Sequence, residues 1–106
     1  MWLTCPYLGA EVELTDERPT HIEQRHPELL PEQIDRLIQA IADPDRVLVD
    51  GDYPNTRLLA RWYDDLAGGK HVVAAVVSTP QPPRHWIVTA MLVSRELKGD
   101  LQWTRP

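Results

Sequence analysis

The spacing of apolar positions along the chain changes character at Pro44. Before it, Ile34, Leu37, Ile38 and Ile41 fall at i, i+3, i+4 and i+7. That one-sided stripe predicts a helix over 31–42, opened by Pro31 and closed by Asp43-Pro44. A shorter helix is expected over 16–26, with Asp16 as its cap, Glu17 in the first turn and Pro19 early enough to be tolerated. Pro27 disfavours helical geometry at His26 and so ends it. Ahead of it, EVEL (11–14) alternates polar and apolar, as a short strand does.

After Pro44 the spacing becomes two-residue or continuous. RVLVD (46–50) is a short β-branched run, followed by the turn residues GDYPN (51–55). Strands are expected at 46–50, 57–64, 70–78 and 85–93, with Gly68-Gly69 marking a hairpin and Lys98-Gly99 a later turn. KHVVAAVVS (70–78) is nearly unbroken apolar sequence and predicts a strand buried on both faces. In the last strand, simple alternation puts His85, Ile87, Thr89 and Met91 on one face. The predicted fold is therefore α+β: two N-terminal helices packed on a four-stranded antiparallel meander, as a single domain over 1–106.

Composition narrows the function. The chain has 106 residues, enough for one modest core, and its formal net charge is −5. That balance argues against broad, non-specific nucleic-acid binding, which needs many Lys and Arg contacts to phosphate, but leaves room for a local basic site. The longest apolar run, VVAAVV (72–77), is too short to cross a membrane as a helix. The first residues lack a basic start followed by an apolar block, so a cytoplasmic protein is expected. A lone cysteine, Cys5, offers no internal disulfide and reads as an ordinary half-buried residue. The chain has four Trp and no Phe, so the tryptophans are expected to fill the core, though their rings are also able to stack on bases.

The concentrated chemistry lies in TDERPTHIEQRHPEL (15–29). His21 and Arg25 are four apart and share a helix face, with Ile22 beside them as the core anchor. His26 falls at the helix end, where the backbone carbonyls favour a cation. Two histidines and an arginine supply what RNA cleavage without a metal requires. A base takes the 2′-OH proton, an acid protonates the leaving 5′ oxygen, and a cation holds the phosphate. The same residues would also serve as an ordinary solvated helix face. No metal is expected: His21 and His26 are five apart, not the i, i+4 pair of a helical zinc site, and no Glu follows His21 directly. On the strands, Arg61, Lys70, His71, His85 and Thr89 interrupt the apolar pattern.

Taken together, ER-x-x-HI-x-x-RHPE (17–28), an amphipathic helix ending in DPD (43–45), then KHVVAAVV, IVTAMLV and KG-x-x-x-W (98–103) resemble the barnase–EndoU–colicin–RelE-like nuclease fold family, in its small phage and bacterial branch. The resemblance runs from about Tyr7 to Trp103. It implies a metal-independent endoribonuclease, used as a toxin or in phage conflict, with RNA and a cognate inhibitor protein as partners and no cofactor. Carried over by position, it implies catalytic roles for His21, Arg25, His26 and Thr89, with Arg61 or Lys70 as the sheet cation that binds substrate. Met91 stands where an aromatic commonly follows the Thr-Ala pair in that branch. The alternative is a non-catalytic module of the same fold that binds protein or RNA.

Overall fold

The computed structural model describes residues 1–106. Its strands are β1 (Trp2–Cys5), β2 (Ala10–Glu13), β3 (Arg46–Val49), β4 (Thr56–Tyr63), β5 (Lys70–Pro80), β6 (Pro83–Val93) and β7 (Asp100–Thr104). The helices α1 (Arg18–Arg25) and α2 (Ile34–Ala42) fall between β2 and β3. The seven strands form one mixed sheet in the order β1-β2-β6-β5-β4-β3-β7. This overturns the expected two helices on a four-stranded antiparallel sheet.

The four expected strands are present and do form an antiparallel meander, β3 to β6. The sheet is extended on both sides. The β1–β2 hairpin joins β6 through a single parallel pair, Glu13 with Trp86, and β7 adds to β3. β2 matches the short strand expected at 11–14, whereas β1 and β7, four and five residues long with two buried side chains and none, carry too little alternation to be expected. So few alternating positions give almost no periodic signal. Long-range backbone pairing, not local pattern, makes them strands.

Both helices are shorter than their apolar pattern suggests. Glu17, not Asp16, occupies the N-cap of α1, and it makes no side-chain capping bond. Residues 31–33, expected as the first turn of α2, form turns instead, continuing those of residues 27–30, where Leu29 and Leu30 are buried. Leu37, Ala40 and Ile41 of α2 enter the main core, together with Val47, Leu59, Val72, Val76 and Ile87 from the sheet.

β5 is buried on both faces, since Val72 through Val76 are all buried. Val72, Ala74 and Val76 face the helices, and His71, Val73 and Ala75 face the other way. The link from β6 to β7, residues 94–99, runs across that second face and lies over Leu58, Val73, Met91 and Val93. The core is aliphatic. None of the tryptophans is fully buried: Trp2 is exposed, Trp62 borders His71, Trp86 lies under Arg84, and Trp103 meets Tyr7. Cys5 is fully rather than half buried, and burial pushes its thiol above the ordinary range, which makes it a poor nucleophile. No helix is long and apolar enough to cross a membrane.

A candidate active-site cleft between the first helix and the sheet

β2 pairs with β6 only at Trp86, after which the chain turns away and enters α1. The strand edge beyond Trp86 is left free, and α1 packs against β6 there. Ile22, 1% exposed, is its anchor in the core. With Ile22 facing inward, the side chains on its flank face a cleft of about 370 Å³. The cleft is lined by Arg18, His21, Ile22, Arg25 and His26 from the helix and by Val88, Thr89 and Met91 from the strand.

A β-bulge sets the face from which Thr89 lines this cleft. Ala75 pairs with Thr89 and the next residue, Val76, pairs with Ile87, so Val88 is the extra residue. Below the bulge Ile87 points into the helix-side core, and above it Thr89 and Met91 point to the other face. The expectation that Ile87, Thr89 and Met91 share one face fails for this reason: strict alternation breaks at Val88. The bulge puts Thr89 on the face away from the helix-side core, and from there it lines the cleft together with His21.

At the end of α1 His26 leaves helical geometry (φ −134°, ψ 65°), as the following proline requires, and its backbone N–H donates to the Ile22 carbonyl at 2.7 Å. Its ring Nδ1 lies 3.4 Å from a Glu28 carboxylate oxygen. His21 and Arg25 are exposed. The chain's arginine ion pairs use Arg36, Arg61, Arg84 and Arg105, so the Arg18 and Arg25 guanidinium groups are uncommitted. Two permanent cations with no internal partner, three and four residues either side of a histidine, make a site ready for an anion.

The cleft thus brings together His21, Arg25, His26 and Thr89. Arg61 and Lys70 lie elsewhere. Arg61 donates to the backbone and side-chain oxygens of Asp43 at 2.8 Å and lies over the Tyr63 ring, beyond the end of α2. Lys70 is at the start of β5, paired with Tyr63. Their strand register faces them to the helix side, whereas Thr89 opens to the opposite face. The cation expected on the sheet does not line the cleft, whereas Arg18, on the helix, does. Its signal was present: Arg18, His21 and Arg25 stand at i, i+3 and i+7, one row of a helix surface.

Two other histidines have separate surroundings. His85 Nδ1 is 2.7 Å from the Ser78 hydroxyl. His71 is 7% exposed, meets Trp62 edge-on with ring centroids 4.8 Å apart, and has no partner for Nδ1. Burial, with Arg46 nearby, pushes His71 below the ordinary histidine range, and Asp45 opposes this only in part. In the unfolded chain the ring titrates near about 6.5. Below that pH the unfolded chain binds the proton that folded His71 resists, so stability falls as pH drops. Urea unfolding midpoints should hold steady above about pH 7 and decline from about 6.5 downward. His71→Phe should remove part of that decline; an unchanged pH profile would show that the buried ring does not control it. Further loss near pH 4 and below belongs to carboxylates such as Asp43 and Asp65, held below their usual range by Arg61 and Arg36.

Comparison of the chain with protein-family models, with characterised proteins and with solved structures finds no match.

Proposed function

We propose that the protein is an endoribonuclease that cleaves RNA by acid–base transesterification in the α1–β6 cleft. The observation that carries this reading is the convergence of His21, Arg25, His26 and Thr89 on one cavity from two elements far apart in sequence. His21, mid-helix on a packed element, takes the 2′-OH proton of the substrate. The 2′ oxygen attacks the adjacent phosphorus, and His26 at the rim protonates the departing 5′ oxygen. Arg25 and Arg18 hold the non-bridging oxygens as negative charge builds in the crowded intermediate. Thr89 offers a hydroxyl hydrogen bond from the opposite wall. The attacking nucleophile belongs to the RNA itself, so the side chains need only move protons and neutralise charge. Arg61 and Lys70 have no part in this scheme, since neither lines the cleft.

The test is incubation of purified protein with total RNA in the presence of EDTA. Cleavage should persist and leave 2′,3′-cyclic phosphate ends, while DNA, which lacks the 2′-OH, stays intact. Arg18→Ala and Arg25→Ala should each slow it at least tenfold, in line with the loss of a charged contact to the transition state. If no RNA is cut but RNA still binds and protects His21 from modification, the non-catalytic module is the better reading.

A further inference from the structure

The cleft does not end at Thr89. Val88, Thr89 and Met91 also line a second cavity of about 420 Å³ on the open face of the sheet, within the range of small-molecule sites. Its floor is apolar, formed by Leu58, Ala75, Val77 and Met91, and its far wall is the turn between β3 and β4. Tyr53 stands on that turn 65% exposed, and its ring makes no aromatic pair.

The turn is held firmly. One Asp50 carboxylate oxygen accepts from the backbone N–H groups of Asp52 (2.9 Å) and Tyr53 (3.3 Å). The Thr56 N–H donates to the Tyr53 carbonyl at 2.9 Å. These bonds leave the second Asp50 oxygen free as an acceptor. The Asn55 side-chain oxygen is used by the Thr56 hydroxyl (3.4 Å), which leaves its amide N–H groups free as donors. The groove is also polarised: Arg18 and Arg25 lie at one end, Asp50 at the other. A nucleotide has the matching polarity, with an anionic phosphate and a neutral base whose edge carries both donors and acceptors. Acidic residues would repel the phosphate backbone from the turn but not the base.

We propose that the β3–β4 turn is a nucleobase subsite: a base next to the phosphate held by Arg18 and Arg25 stacks on Tyr53, and its edge meets Asp50 and Asn55. This rests on the ribonuclease reading for the position of the phosphate. The occupant is a single unpaired nucleotide, since a paired base has its edge occupied and its faces stacked.

The experiment uses short 2′-O-methyl RNA, which lacks the attacking hydroxyl and so cannot be cut, with one abasic position moved along the strand. Binding is read by fluorescence anisotropy. For wild type, one abasic position should weaken binding about tenfold or more, the scale of base–aromatic stacking. In Tyr53→Ala that position should matter less than twofold, and Tyr53→Phe should restore the wild-type pattern. Arg25→Ala should weaken every oligonucleotide alike. Equal abasic penalties in wild type and Tyr53→Ala overturn the subsite, even if unmodified RNA is cleaved. A Tyr53-dependent penalty in a protein that never cleaves unmodified RNA upholds the subsite and sinks the ribonuclease reading instead. Absence of binding to any of these oligonucleotides overturns the subsite, and together with no cleavage of unmodified RNA it overturns the ribonuclease reading as well.

Discussion

His21→Ala is expected to lower the RNA cleavage rate by about 10²–10⁴-fold, the usual loss when a general acid or base is removed. The fold should be unaffected. His21 is exposed and takes part in no ion pair, and alanine favours helix more than histidine does. The neighbouring anchor Ile22 and both arginines stay in place. Circular dichroism and the urea midpoint should therefore match wild type while the rate collapses. The control is Lys98→Ala, on the link between β6 and β7, which should cleave normally. A His21→Ala protein that cuts RNA as fast as wild type would leave the cleft without its base and remove the mechanism proposed for it.

The largest expected effect on stability comes one residue later. Ile22→Ala should cost about 2–5 kcal/mol, the range for truncating a fully buried isoleucine. Ile22 is the only buried residue of α1, so nothing else on that helix compensates. An eight-residue helix is marginal by itself and depends on this packing. Urea unfolding should show the lowered midpoint. Cleavage should fall as well, because the helix that presents Arg18, His21 and Arg25 to β6 loses its hold. Ile22→Val should cost about 0.5–1.5 kcal/mol and keep most activity. If Ile22→Ala unfolds at the wild-type midpoint, α1 is held by something other than this contact.

Much of the site was readable because its helix is local. The row Arg18, His21, Arg25 and the proline stop after His26 follow from 3.6-residue geometry and from the restriction proline puts on its predecessor. The core anchor Ile22 follows from the same geometry. The resemblance implied Arg61 or Lys70 as the sheet cation, with only strand alternation to orient them. Alternation gives two faces but not which of them the cleft opens on, and here Arg61 instead closes on Asp43 at the end of α2.

By itself, the sequence determined the central meander β3 to β6, the burial of β5 on both faces, the two helices and the cluster on α1. Each is written in side chains a few residues apart, where one hydrophobic period suffices. Tertiary structure alone decided three things. It recruited β1, β2 and β7 into a seven-stranded mixed sheet, through backbone hydrogen bonds that every residue type except proline makes equally well. It started α2 at Ile34 rather than Pro31, leaving residues 31–33 in turns. It set the bulge at Val88, which put Thr89 on the opposite face of the sheet from Ile87. A strand's register depends on what lies beside it, and that neighbour is far away in the chain.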